Sequence, residues 1–554
     1  MRTFLLLLFI PVSLFAQSSN IYWGNAIPEN WNGDWPNDLR TACEKSGFTH
    51  TATHNDIMDY LSELPRKSEL VSTSTLFVSD RGLASQLLIM ANPRISSAQE
   101  AKASGKPVIY LQGGIHPGEP EGKEALLMVI RDILFGEKKH LLDNLIILVN
   151  PNFNVDGNET RVITNGDLKL MGTRRNAAGY DVNRDALKLQ TKNMQGAVSK
   201  LFAQWDPILI YDTHRMEETQ HGYAIAHGGS NVPTAHAAPR DYVTYNIFPA
   251  LVDIARKDYQ IEVGMHCGLD DTWPPKVFSH DNSIWSTEGK FMVSGYGLRN
   301  RMAIITETPE RASFEKAVYA QYAYTQALLT YCHTHGQEMK ALCEKTDAEV
   351  VAQIKNHASS GQLTNFTSGK YVSDGALKIP AYRDTKKKFV PGSSVQVYDR
   401  PDTPEWVTVD LVTKPIGTHS AKVPNAYLLP ESLKPIVDKL KMHGVQVSQL
   451  EKAVKVNGER YRVDRMEKRP MGFAKYPMTT LLGDFEQAKQ QNYPAGTYLV
   501  SLEQPLANLI FYCLEPQVRD GLMGWQLMDD QLQALEQKGS PFYYPVFKVF
   551  GEVN

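Results

Sequence analysis

The sequence predicts an α/β protein: a mixed, mostly parallel sheet flanked by helices, followed by a β-rich α+β region. Three observations carry this. Between about residues 105 and 308, short apolar runs alternate with helical stretches, the pattern left by strands whose connections cross over as helices. After about residue 360 the texture changes to short β-like runs broken by Gly, Pro and charged residues. The chain of 554 residues also exceeds the roughly 250–300 residues that a single hydrophobic core fills.

Taken in order, residues 1–16 (MRTFLLLLFIPVSLFA) set one basic residue, Arg2, before an apolar run. That run ends at the small Ala16 and gives way to Gln17-Ser18-Ser19-Asn20. This is the layout of a secretory signal peptide, and the run is shorter than the roughly 20 residues of a membrane span. The alternative is a retained N-terminal anchor, and Leu14 departs from the usual small residue at its place. Residues 17–100 read as a helical and irregular lead-in packed onto the α/β unit. Val108-Ile109-Tyr110-Leu111 is a buried strand, and Pro120-Glu121 opens a helix with Ala125, Leu126, Val129, Ile130, Ile133 and Leu134 on its apolar face. Residues 144–149 (NLIILV), 208–211 (ILIY) and 302–306 (MAIIT) are further strands, and a helix runs over about 313–340. Beyond 360, strands are expected near 394–398, 406–412, 460–463 and 497–501, with a helix at 431–443. The expected division is a leader at 1–16, a principal unit at 17–345 and an accessory β-rich unit at 361–554 whose default role is capping.

Charge and cysteine usage narrow the class. Fifty-eight Lys+Arg against 61 Asp+Glu leave a net charge of −3, which argues against a nucleic-acid binder. The five cysteines (Cys43, Cys267, Cys332, Cys343, Cys513) are odd in number and form no C-x-x-C pair, so neither a disulfide framework nor a Cys-zinc site is signalled. With the leader removed, the expectation is a secreted or periplasmic protein without a transmembrane segment; nothing in the sequence bears on its oligomeric state.

The chemistry concentrates at strand ends, where parallel α/β sheets gather their ligands. Gly113-Gly114-Ile115-His116-Pro117-Gly118-Glu119-Pro120-Glu121-Gly122 comes directly after one strand and directly before a helix. His116-x-x-Glu119 can bring an imidazole and a carboxylate to one metal, although a surface-loop His near a Glu is also common. The strand Tyr211-Asp212-Thr213-His214 puts a second histidine at an equivalent place. Two His and one carboxylate with an open fourth position is a catalytic zinc arrangement. Between them lies Thr173-Arg174-Arg175-Asn176 with Gly179-Tyr180-Asp181-Val182-Asn183-Arg184. It reads either as a solvated basic loop or as a grip on a carboxylate or developing oxyanion. Glu307 closes an otherwise apolar strand, unusual for core and suited to a general base beside a metal. His221, His227, His236, His266 and His280 read as surface loop residues.

These four blocks, in this order, resemble the zinc carboxypeptidases of the carboxypeptidase A-like metallopeptidase family over about residues 50–335. Pro424-Asn425-Ala426-Tyr427-Leu428-Leu429-Pro430 and Ala495-Gly496-Thr497-Tyr498-Leu499-Val500 are similar to the C-terminal region of large bacterial members. The resemblance implies one Zn²⁺ per chain on His116, Glu119 and His214, with Asp181 orienting His116. It implies Glu307 as the proton-transferring base, Arg174 stabilising the oxyanion, and Asn183 and Arg184 binding the terminal carboxylate of a peptide. A substrate-contacting tyrosine is usual in the family. The nearest candidate is Tyr296, close before Glu307, a spacing that equally fits a turn residue.

The expected activity is therefore hydrolysis of the C-terminal amide bond of peptides, cell-wall peptides among them. The same metal, base and arginine would also serve a zinc deacylase or amidase acting on N-acyl amino acids. A non-catalytic binding module is the third alternative, and the intact His116, Glu119, His214 and Glu307 set argues against it.

Overall fold

A computed structural model describes residues 26–164, 168–216, 220–282, 286–310, 312–383, 387–389, 396–398, 403–470 and 476–553; the leader expected at 1–16 lies outside them. The central sheet has eight strands: β1 (Val71–Val78), β2 (Ala84–Met90), β3 (Val108–Gln112), β4 (Ile146–Asn150), β5 (Leu209–Met216), β6 (Ile225–Gly229), β7 (Val263–Met265) and β8 (Met302–Pro309). Their spatial order is β1-β2-β4-β3-β5-β8-β6-β7. The middle run β4-β3-β5-β8 is parallel throughout, and antiparallel pairs flank it at β1-β2, β2-β4 and β8-β6. The sheet is thus mixed with a parallel centre, as the sequence predicts.

Successive residues of a strand face opposite sides, and the two packing layers divide accordingly. Ile109 and Leu111 of β3 join the helices α1 (His54–Lys67), α2 (Glu121–Phe135), α3 (Phe248–Tyr259) and α4 (Phe314–His357) in one core. Val108 and Tyr110 face the other way, against Met194, Val198, Leu201 and Phe202 and the Met292–Gly297 helix. With both faces covered, β3, β4 and β8 are buried along their whole length, which is why they appear in the sequence as unbroken apolar runs.

The segment before β1 contacts α2 through one buried arginine. Arg131 of α2 is fully buried and donates to both oxygens of Glu44 at 2.7 and 2.8 Å, to Asp132 at 3.0 Å and to the carbonyl of Asn32 at 3.1 Å.

The long helix differs from expectation. It covers 44 residues, Phe314–His357, and so runs through position 345, where the principal unit was expected to end. Its first part packs on the central sheet as far as Cys343, whereas Val350 and Ile354 enter the core of the C-terminal region. That core is built on strands Ala426–Leu429, Val454–Arg469, Met478–Tyr493, Tyr498–Ser501 and Phe547–Val549 with helices Lys434–Met442 and Ala507–Leu514. Two 18-residue strands, Thr364–Ala381 and Glu405–Lys422, reach back from it. Residues 410–412 pair in parallel with Val277–Ser279, and Ala381 bridges to His221 just beyond the end of β5. The five cysteines are buried and unbridged. No described helix is long and apolar enough to cross a membrane.

Candidate active site

Three neighbouring parallel strands, β3, β5 and β8, end together. Gln112 pairs with Asp212, and the β5-β8 register sets Glu307 beside His214. The chain leaving β3 turns sharply at Gly114, whose φ of 69° favours glycine. Gly122 then lets the start of α2 press against β5, since a Cβ there would overlap the Thr213 side chain. These glycines bring His116 and Glu119 down onto His214.

His116, Glu119 and His214 each offer a ligand atom within 4.8 Å of the others. Glu119 bridges the pair, with Oε1 3.0 Å from His116 Nδ1 and Oε2 2.8 Å from His214 Nδ1. The far ring nitrogens are both held by carboxylates: His116 Nε2 by Asp181 Oδ1 and His214 Nε2 by Asp212 Oδ2, each at 3.0 Å. A nitrogen that donates to a carboxylate leaves the other with its lone pair for a cation. His116 Nδ1 is buried and forms no hydrogen bond among the described residues. An orphaned imidazole nitrogen beside a carboxylate and a second imidazole fits Zn²⁺ in the donor set that leaves a position for water or substrate.

The surrounding charges are matched to this point. Burial works to raise the Glu119 carboxyl, but His116 and then His214 hold it well below the usual carboxylate range. Burial opposes ionisation of Asp181 too, and is outweighed by the hydrogen bond from His116 and by Arg184 and Arg174. Arg174 donates from Nε to Asp181 Oδ2 at 3.0 Å and from Nη1 to Glu119 Oε1 at 3.1 Å. Its neighbour Arg175 turns outward to the carbonyl of Gly179, which settles which arginine of the pair faces the cluster. Glu307 is 7% exposed, and its Oε2 forms no hydrogen bond among the described residues. Burial, opposed by His214 and reinforced by Glu119, raises its carboxyl above the ordinary range.

Asn183 and Arg184 are buried beside the cluster. The Asn183 amide nitrogen lies 3.4 Å from His214 Nε2, and the Arg184 guanidinium sits 4.4 Å over the Phe291 ring. Burial lowers Arg184 to about 10, which leaves it charged at neutral pH.

The structure does not bring Tyr296 to the site. It is 1% exposed, packs on Phe202 and donates to the carbonyl of Pro207; it is a core residue on the Met292–Gly297 helix. The surface expectation for the other histidines is also corrected. His221, His227, His266 and His280 are at most 2% exposed, and only His236 is partly open. His227 stacks on Phe248 at 3.8 Å, and burial lowers His266 to about 3, with His280, His221 and His214 adding to it. Asp212 was given no role from the sequence. It stands two residues before His214 on one strand, and that period of two was the signal that could have found it.

A two-histidine, one-carboxylate zinc centre with a buried glutamate beside it, at the carboxyl ends of parallel strands, defines a zinc hydrolase. Residues 57–226 match the zinc carboxypeptidase family model, which marks that stretch as a zinc carboxypeptidase domain and supports zinc metallocarboxypeptidase activity. Carboxypeptidase 2 of Trichophyton rubrum is 24% identical over 455 residues, 78% of this chain and 76% of that protein. Carboxypeptidase 2 of Trichophyton tonsurans is 23% identical over 82% of this chain and 78% of its own length. Among solved structures, a metallo-carboxypeptidase from Burkholderia cenocepacia aligns over 51% of this chain and 70% of its own, at 17% identity and a TM-score of 0.38.

Proposed function

We propose that this enzyme is exported and removes single residues from the free C-terminus of peptides, with Glu307 as its general base. The reading is carried by Glu307: a buried carboxylate in register with His214, with one oxygen lacking a hydrogen-bond partner among the described residues. His116, Glu119 and His214 would hold the zinc, which when bound would supply Lewis acidity to the scissile carbonyl and to water. Glu307 accepts a proton from the attacking water and delivers it to the leaving amine. Arg174, fixed by Asp181 and Glu119, stabilises negative charge developing on the scissile oxygen. Asn183 and Arg184 take the terminal carboxylate, a neutral donor beside a guanidinium. Export rests on the leader at residues 1–16, and it places cell-wall peptides among the substrates within reach.

The test is mass-spectrometric profiling of a mixed pool of linear peptides and muropeptides, with and without chelator. Loss of single C-terminal residues, abolished by chelator, is expected. Glu307→Gln should lower kcat by roughly 10²–10⁴-fold while one zinc per chain is retained. Turnover of N-acyl amino acids with no peptide cleavage would replace this reading with a deacylase or amidase. Full activity in Glu307→Gln would remove Glu307 as the base.

A further inference from the structure

Segment 288–292 lies between the carboxylate-binding pair and the C-terminal region. On one side, the backbone N–H of Met292 donates to Asn183 Oδ1 at 2.8 Å, Phe291 carries the Arg184 guanidinium on its ring face, and Ala186 N donates to the Lys290 carbonyl at 3.3 Å. On the other side, Lys290 N donates to Asp520 Oδ2 at 2.8 Å and Gly289 N donates to the Tyr512 hydroxyl at 2.8 Å. The Tyr512 hydroxyl in turn donates to Asp520 Oδ1. Lys290, Phe291, Tyr512 and Asp520 are at most 4% exposed, so water does not replace these bonds at little cost.

The C-terminal region holds the pair's own segment as well. Trp525 donates from Nε1 to the Asp520 carbonyl at 2.8 Å, and its ring lies 3.8 Å from Lys188 Nζ. His443 Nε2 pairs with the Leu187 carbonyl at 2.9 Å, and Lys439 Nζ donates to the Leu189 carbonyl. Arg184 is therefore bracketed by two segments, 187–189 and 288–292, each tied to residues beyond 430.

We propose that Asp520 is a positioning residue for Asn183 and Arg184, and that through it the C-terminal region sets the affinity for the substrate's free carboxylate. The proposal rests on the carboxylate-binding reading of Asn183 and Arg184. Asp520 fixes two points at once, the Lys290 amide directly and the Gly289 amide through Tyr512. Those two residues immediately precede the ring on which Arg184 lies. Misplacement of a binding group by about 1 Å can cost on the order of 100-fold.

The experiment uses the full-length zinc-loaded enzyme with Asp520→Asn, Tyr512→Phe, Arg184→Gln and the double variant Asp520→Asn/Arg184→Gln. kcat and KM are measured on one peptide as its free acid and as its C-terminal amide, with zinc content and thermal midpoint recorded. Asp520→Asn is expected to raise KM for the free acid about tenfold with kcat within about twofold, the signature of lost uniform binding. Its preference for acid over amide should shrink in parallel. The double variant should be no worse than Arg184→Gln alone, because groups acting through one another are non-additive. A lowered thermal midpoint with KM unchanged in both Asp520→Asn and Tyr512→Phe would make the contact purely structural and overturn the proposal. So would full additivity in the double variant. If Arg184→Gln itself leaves KM unchanged, the carboxylate-binding reading fails instead. Should Asp520→Asn fail to fold, Tyr512→Phe removes the Gly289 half of the contact while the Lys290–Asp520 bond stays, and a raised KM for the free acid in that variant decides the question.

Discussion

Asp181 holds two groups of different function with its two oxygens, His116 Nε2 on Oδ1 and Arg174 Nε on Oδ2. Replacing it by asparagine would keep the shape and remove the charge that fixes the imidazole's proton on the far nitrogen. Partners of this kind are worth roughly 10–100-fold in metal affinity, so Asp181→Asn should weaken zinc binding by that factor in competition with a chelator of known affinity. Unchanged affinity would show that the orientation of His116 comes from packing alone. Residues of this kind were legible in the sequence because each sits in a short block whose backbone geometry is set by the strand or turn carrying it. Asp212 was as legible as His214, being on the same face of the same strand. Tyr296 misled for the opposite reason. Proximity to Glu307 in the chain says nothing of direction, and a tyrosine followed by Gly297 on a short helix turned its ring into the core, where the Pro207 carbonyl satisfies its hydroxyl.

At the scale of elements, the buried strands were readable because burial on both faces leaves an uninterrupted apolar run. The Phe314–His357 helix was foreseen only as far as about residue 340. Its later turns carry charged residues on every exposed face, and the partners of Val350 and Ile354 lie in strands and helices beyond residue 420, which no local pattern announces. The lead-in was expected on the main unit, and its anchor is now specific. Glu44 caps its own short helix, accepting from Thr41 N at 2.7 Å, and accepts the Arg131 guanidinium while 8% exposed. Arg131 also lies 4.6 Å from the Trp35 ring. Arg131→Met fills the space but leaves Glu44 without its counter-charge, and removal of one partner from a buried pair costs about 3–5 kcal/mol. The variant should show a lower thermal midpoint and earlier proteolytic cleavage within residues 26–53. An unaltered midpoint would mean that the lead-in is held by its apolar contacts alone.

For the whole molecule, the expected separation into a principal unit and an accessory cap meets a structure in which the two share a core. Leu187, Val232 and Leu298 come from the first 345 residues, yet they are buried among residues of the C-terminal region at 1%, 0% and 0% exposure. Uncovering each would cost about 1.5–3 kcal/mol, against a total stability of about 5–15 kcal/mol for a typical domain. The same cut would strip the Val277–Ser279 strand of its parallel partner and His221 of its bridge to Ala381. It would also break the long helix twelve residues before its end at His357. A chain ending at residue 345 should therefore fail to reach a folded, zinc-binding state: low soluble yield, no cooperative thermal transition and no peptidase activity. Extending it to residue 360 should not rescue it, because the missing cover is the C-terminal core and not the helix end. A truncated chain that melts cooperatively and keeps the full enzyme's kcat and KM would instead establish the C-terminal region as a dispensable cap, and would take the Asp520 proposal with it.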